Sequence, residues 1–428
     1  MERRTLTQPG YYERIIDKRI DECLRVFGAI LLEGPKWCGK TWTALNHCYS
    51  SAYLGHSQPA GIQSDYRLAQ TDVGLVLGRD KPELLDEWQD VPGVWDNVRY
   101  ECDLQNKPGL YILTGSATPP RMEEIHHSGA GRICRLNMST MSLYETGDSN
   151  EVVSLEGLFG GKVKSQELEE AVSLRRLAEL IVRGGWPAMV GRQVVSGVLS
   201  EGYLEDVLMH DIGAVDGVRR DSEKMRFLIR SLARNESTVV SNKTLIRDLD
   251  EGGQLNKNTV TDYLDVLERL HLLANQPAFR SNVRSPERVG VSVKRHFVDP
   301  SLAVAALGLD VDGLLADLKT FGFFFEALCE HDLRIYAEAM GGALRHYRNN
   351  VSGLEVDAIV ELKNGDFGAI EIKLGPDKIE EGVNNLNRLS SELTVEPKFK
   401  AIICGLYPAV TRRKEDGIYI LPITALKP

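Results

Sequence analysis

Phe27-Gly-Ala-Ile-Leu-Leu-Glu-Gly34-Pro35-Lys36-Trp37-Cys38-Gly39-Lys40-Thr41 is the stretch on which the fold of this chain turns. Phe27 to Leu32 is an apolar run of strand length, the loop after it has the spacing GxxxxGKT, and Thr43 to Cys48 can continue as helix. A strand feeding such a loop and then a helix has a chemical purpose. Backbone N–H groups of the loop surround phosphates, the helix N-terminus adds positive potential, Lys40 reaches the β and γ oxygens, and Thr41 ligates Mg²⁺. Gly34, Pro35, Lys36, Trp37, Cys38, Gly39, Lys40 and Thr41 are the candidate nucleotide-binding residues, with ATP and Mg²⁺ as the expected ligands.

Downstream of the loop, Pro82-Glu-Leu-Leu-Asp86-Glu87 ends a second strand-like run in paired acids. An aspartate there suits the Mg²⁺ shell, and the glutamate after it suits polarising an attacking water, which separates hydrolysis from binding. Taken alone, two adjacent acids would be an ordinary solvated face. A third run, Gly109 to Ser116, ends in small polar residues, of which Thr114 and Ser116 are placed to sense a γ-phosphate. Arg132 precedes a fourth, Ile133 to Met138, in the position of an arginine finger that reaches a neighbouring subunit's nucleotide. The alternative for Arg132 is a surface ion pair.

The bulk numbers bound the rest. A chain of 428 residues exceeds one ordinary core, and 43% hydrophobic with 26% charged residues excludes a disordered or collagen-like chain. No segment approaches the ~18 apolar residues of a membrane span, and the start, Met1-Glu2-Arg3-Arg4, leads into a polar stretch, so the expectation is a cytoplasmic protein with no membrane partner. The seven cysteines are scattered and never spaced CxxC, which argues against a disulfide framework or a zinc site. A net charge of -10 argues against a surface coated in polyanion, so nucleic-acid contact has to be sought in local basic stretches.

Periodic apolar positions between Leu174 and Leu232, such as Leu177, Leu180, Ile181, Tyr203, Leu204, Val207 and Leu208, predict amphipathic helices forming a lid, interrupted by a turn at Gly184-Gly185-Trp186-Pro187. Arg183 beside that turn is a candidate second nucleotide sensor. Helices over Ser241–Leu249 and Asn256–Leu270, then strands over Leu272–Phe279 and Lys294–Val298, make a winged-helix pattern with Thr259 to Leu270 as recognition helix. The wing holds Arg280, Arg284, Arg288, Lys294 and Arg295 against Glu287 alone, an excess suited to phosphates. The alternative is a packing module whose basic residues pair with acidic neighbours.

In the tail, Phe321 to Leu333 reads as a helix containing Glu326, and two strand-like runs, Glu355 to Leu362 and Phe367 to Lys373, flank Asn364-Gly365, which predicts a hairpin. Strand alternation puts Glu371 and Lys373 on one face. With Asp357 opposite, two carboxylates and a lysine converge, the group that metal-assisted phosphodiester cleavage uses: carboxylates to hold Mg²⁺ or Mn²⁺ and an ammonium to orient water. Carboxylates serving only DNA docking or structure are the alternative.

The glycine loop, the Leu-Leu-Asp-Glu ending, the Leu-Thr-Gly-Ser strand and Arg132, in this order, resemble the AAA-type ATPases of bacteria and archaea. Arg183-Gly-Gly-Trp-Pro187, and Asp357 followed after thirteen residues by Glu371-x-Lys373, resemble the subgroup with a C-terminal restriction-endonuclease-like domain of unknown function, with Glu326 as its helical acid. The resemblance spans nearly the whole chain. It implies an α/β fold divided into an AAA-type P-loop core with a parallel sheet (1–150), a helical lid (151–232), a winged helix (233–300) and a restriction-endonuclease-like domain (301–428). It also implies a ring-type homo-oligomer, hexameric, with nucleotide at subunit boundaries. On these residues Lys40, Glu87, Arg132, Asp357, Glu371 and Lys373 are the candidate catalytic groups, and Thr41, Asp86, Asp357 and Glu371 the candidate metal ligands. The expected function is a Mg²⁺-dependent ATPase coupled to binding or remodelling DNA, branched or broken. The alternative is a nucleotide-controlled switch acting on protein, with an inert tail.

Overall fold

The computed structural model describes residues 5–55, 64–116, 129–169, 171–192, 195–249, 256–280 and 293–428. The chain forms two compact units, one of Met1–Thr140 with Met209–Arg220 and Asp265–Leu272, the other of Met141–Leu208, Asp221–Leu264 and Leu273–Pro428.

The first unit is built on a parallel sheet. Its elements in chain order are α1 (Ile15–Leu24), β1 (Ala29–Glu33), α2 (Lys40–His47), β2 (Ser50–Tyr53), α3 (Ser64–Thr71), β3 (Glu83–Asp86), α4 (Gly93–Gln105), β4 (Tyr111–Gly115) and β5 (Ile133–Asn137). The sheet order is β2-β3-β4-β1-β5, parallel throughout. Strands covered on both faces carry unbroken apolar runs, and β1, β3 and β4 are buried at every position. Alternate residues divide between two cores: Ala29 and Leu31 pack with Leu85, Leu113, Val94 and Trp95, whereas Ile30 and Leu32 pack with Leu84, Ile112, Ile20 and Leu45. This sandwiching fixes where the strand ends lie, and the loops at their C-terminal ends carry the site. The short helix α8 (Ile212–Ala214) also belongs to this unit.

In the second unit, α5 (Leu155–Phe159), α6 (Leu174–Arg183), α7 (Val198–Asp206) and α9 (Ser222–Arg234) precede α10 (Asn242–Leu249) and α11 (Lys257–Arg269), whose last turn falls in the first unit. The first short strand, β6 (Val153–Ser154), pairs with the last, β16 (Leu426–Lys427), and β8 (Thr238–Val239) pairs antiparallel with β9 (Lys294–Arg295). The long strand expected over Leu272–Phe279 is reduced to single bridges at Leu273, Gln276 and Ala278. Pro277 lies among them and has no N–H to continue a ladder.

The tail runs α12 (Pro300–Ala306), α13 (Val311–Ala316), α14 (Leu318–Ala339), β10 (Ala343–Arg348), β11 (Glu355–Glu361), β12 (Phe367–Lys373), α15 (Ile379–Glu392), β13 (Phe399–Cys404), β14 (Ala409–Arg412) and β15 (Tyr419–Leu421). Its sheet has the order β10-β11-β12-β13-β15-β14-β7, where β7 is Gln166–Glu167. The hairpin expected at Asn364-Gly365 joins β11 to β12, with Gly365 at a φ of +86° that suits glycine. The amphipathic face of α15, Ile379, Val383, Leu386 and Leu389, packs with Ile359, Ala369 and Ile402. No helix among the described residues is long and apolar enough to cross a membrane.

Candidate functional site

The glycine loop occupies the space between β1 and α2. Gly34 passes so close to β5 that a Cβ there would lie 2.1 Å from the Met138 carbonyl oxygen, and Gly39, which starts α2, has a φ of +103°. Arg14, which belongs to no motif along the chain, clamps this region: it is 7% exposed and donates to Cys38 O at 2.8 Å and Ser139 O at 2.9 Å. Lys40 is buried, its Nζ donating to Gly34 O at 2.9 Å and Pro35 O at 2.7 Å.

The parallel register brings the second motif to the first. Asp86 stands opposite Thr114 in the β3–β4 pair. Asp86 Oδ1 accepts from Thr41 Oγ1 at 2.8 Å and from Thr114 Oγ1 at 2.5 Å. Burial raises the Asp86 carboxyl above its ordinary range, against the hydrogen bonds from Thr114 and Thr41 and the charge of Lys40. A hydroxyl and a carboxylate in contact at a helix N-terminus match the hard-oxygen chemistry of Mg²⁺, which would favour the ionised form. Glu87 turns away from the strand at a φ of +56°, and its Oε2 accepts from Ser116 Oγ at 3.2 Å and from Gln89 Nε2.

Gln89 is thus a partner of Glu87 that the sequence reading passed over. Asp211 pairs with the loop itself, its Oδ1 lying 2.5 Å from Nζ of Lys36. Burial pushes the His271 imidazole down to about 4, with the charge of Lys40 acting in the same direction. Neither Asp211 nor His271 carries a local motif, which is why spacing alone did not find them.

Arg132 is not brought to the loop of its own subunit. It precedes β5, whose first residue pairs with the first residue of β1, so it lies at the end of the sheet opposite the phosphate loop. There its Nε donates to Asp103 Oδ1 at 2.7 Å. Arg183, the candidate second sensor, is 8% exposed and donates to Asp148 Oδ2 at 2.6 Å.

In the second unit the tail residues do converge. Lys373 Nζ lies 2.6 Å from Glu371 Oε2 and 3.4 Å from Asp357 Oδ2, and Asp357 Oδ2 also accepts from the Ile372 N–H at 2.8 Å. Burial raises the Glu371 carboxyl, as does the neighbouring Asp357 charge. As arranged, these residues do not fit a metal: Lys373 faces both carboxylates, and no group of three or more His, Cys, Asp or Glu among the described residues is disposed to hold one.

The basic wing is partly corrected. Lys294 is not a surface residue awaiting phosphate; it is 5% exposed and engages Glu326 Oε1 and, at 2.7 Å, Glu330 Oε1. Its pairing partners lie on α14, far along the chain. Arg295 donates to Asn242 at 2.8 Å. Arg284, Arg288 and Glu287 lie outside the described residues.

Residues 27–147 match the family described as AAA domain. Residues 174–313 match a domain of unknown function, DUF8612, and residues 321–426 another, DUF4143. Similar curated proteins include the uncharacterized proteins Rv2008c of Mycobacterium tuberculosis and Mb2031c of Mycobacterium bovis, each 25% identical over 363 residues, which are 83% of this chain and 72% of theirs. Among solved structures, the Walker-type ATPase PABY2304 of Pyrococcus abyssi superposes loosely, with a TM-score of 0.41 and 13% identity over 72% of this chain and 99% of that one. The N-terminal part of the chain is an AAA-type P-loop ATPase domain.

Proposed function

We propose that this protein is a Mg²⁺-dependent ATP hydrolase whose cycle is coupled to binding or remodelling DNA. The observation that carries the hydrolase is the meeting of Asp86 and Thr114, near the ends of adjacent strands, with Thr41 in the first turn of α2, and with Glu87 one residue beyond Asp86. Thr41 and Asp86 would hold Mg²⁺, which supplies charge neutralisation for the phosphates. Loop N–H groups and Lys40 orient the phosphates, and Ser116 and Gln89 hold the Glu87 carboxylate, which orients water as general base. In this reading the protein works as a homo-oligomeric ring, hexameric as in the resemblance above, and Arg132 serves only a neighbour's nucleotide.

DNA is the client favoured by the middle and tail. The order α9, β8, α10, α11 and β9 suits a winged helix, and one helix, three antiparallel strands, a second helix and a parallel strand suit a restriction-endonuclease-like core. In this reading the tail is a nuclease-like domain that recognises DNA. A second reading, a switch acting on protein, is favoured by one observation: Lys294, counted toward the basic wing, is buried against carboxylates.

The test is steady-state ATP hydrolysis by wild type, Lys40→Ala and Glu87→Gln, with and without single-stranded, duplex and branched DNA. Wild-type hydrolysis lost in Lys40→Ala, and reduced ~10²-fold or more in Glu87→Gln with binding retained, is expected. Stimulation by one form of DNA supports the coupling. Hydrolysis indifferent to every DNA replaces DNA with a protein client, and equal rates in all three proteins sink the hydrolase.

A further inference from the structure

We infer that Asp211 is a positioning residue of the nucleotide site: it holds Lys36 of the phosphate loop in competition with the terminal phosphate of ATP, so that exchange of this lysine between carboxylate and phosphate is transmitted to the end of α11. The inference rests on the nucleotide-binding reading above and deepens it. The loop has two lysines, and their surroundings differ. Lys40 is buried and bonded to loop carbonyls, whereas the Lys36 side chain is 45% exposed and its Nζ donates to Asp211 Oδ1 at 2.5 Å. The Asp211 side chain is 11% exposed, so a carboxylate set into the fold meets a lysine half in solvent across 175 residues of chain. A lysine ammonium is a point charge on a flexible stem, which a phosphate can draw away from a single carboxylate. The Asp211 carboxylate competes with the phosphate that ADP lacks for this ammonium, so the pair bears on ATP more than on ADP.

What separates this pair from an ordinary surface ion pair is its continuation into the fold. The Asp211 carbonyl oxygen accepts from the Val215 N–H at 3.2 Å, and the Val215 carbonyl oxygen accepts from Arg269 Nη2 at 3.0 Å. Arg269 is the last residue of α11. Beside Val215, Asp216 lies 2.7 Å from Arg220, whose side chain is 4% exposed, and 3.6 Å from Arg269. Met209–Arg220 and Asp265–Leu272 are the two later segments that belong to the first unit, and this run of bonds joins both of them to the phosphate loop. The loop is felt there a second way, since the Lys40 charge acts on His271, two residues past the end of α11. A shift of Lys36 therefore has a bonded route to the end of α11.

The experiment measures the affinity of the full chain for fluorescent ATPγS and fluorescent ADP, with circular dichroism to show that each variant is folded. Asp211→Asn, which keeps the shape and removes the charge, is expected to favour ATPγS over ADP by about fivefold more than wild type does, a gain that falls to about twofold or less when Lys36→Met is added. Equal gains with and without Lys36 would mean plain charge repulsion by Asp211 and overturn the inference. So would an unchanged preference in folded Asp211→Asn, although both nucleotides still bind and the nucleotide site itself stands. Wild type that binds neither nucleotide removes the site and the inference together. For the link to α11, amide hydrogen exchange across 265–272 should differ between the ATPγS and ADP complexes of wild type and become the same in Lys36→Met. Identical exchange in wild type refutes the transmission.

Discussion

Replacing Gly34 by alanine tests the phosphate loop where its geometry is least forgiving. The added Cβ would sit 2.1 Å from the Met138 carbonyl oxygen and 3.1 Å from its carbon. Carbon and oxygen tolerate an approach of roughly 3.3 Å, so the loop and β5 must part by about 1 Å. Met138 has little freedom to supply it: its N–H donates to Glu33 O at 2.7 Å, and Arg14 ties Cys38 to Ser139 from the other side. The displacement therefore falls on the loop whose N–H groups orient the phosphates. A misplacement of ~1 Å in a positioning element costs about 10²-fold in rate, which is about 2.7 kcal/mol of activation free energy. The assay is steady-state hydrolysis at saturating Mg-ATP, with circular dichroism to show that the Gly34→Ala protein is folded. A folded variant with kcat within twofold of wild type would refute the argument that the contact with β5 sets the loop.

Two further perturbations read other parts of the first unit. Arg132→Ala should leave hydrolysis unchanged in monomeric protein, since Arg132 is held by Asp103 at the far end of the sheet, but should lower it ~10³-fold in the oligomer if it serves a neighbour. Rates are compared across protein concentration, and an equal loss at every concentration would count against the trans role. His47 lies between Asp17 at 2.9 Å and Asp21 at 2.8 Å; burial opposes its charge, yet the two carboxylates outweigh burial and raise its pKa. A raised histidine contributes stability that is full below its unfolded pKa of about 6.5 and is lost as pH rises through the folded value. The urea midpoint of wild type should therefore fall between pH 6 and pH 9 by more than that of His47→Gln, and parallel falls would exclude this linkage.

What the sequence determined by itself is chemistry that is contiguous along the chain. The loop from Gly34 to Thr41 has its strand and helix on either side because backbone N–H groups can cradle phosphates only from that local geometry. Glu371 and Lys373 share a face because side chains alternate along a strand, and Asn364-Gly365 turns the hairpin because glycine takes a positive φ. The tertiary structure alone decided which distant groups meet. The parallel order of β1, β4 and β3 brings Asp86 to Thr41 across 45 residues, and the same order puts Arg132 at the opposite end of the sheet. Arg14, Gln89 and Asp211 acquire their roles only through packing. Lys294 shows the reason most plainly. As a residue in a basic run it reads as a phosphate contact, but the free energy of a lysine's charge is set by what surrounds it. Here the surroundings are two glutamates 32 and 36 residues away on another helix.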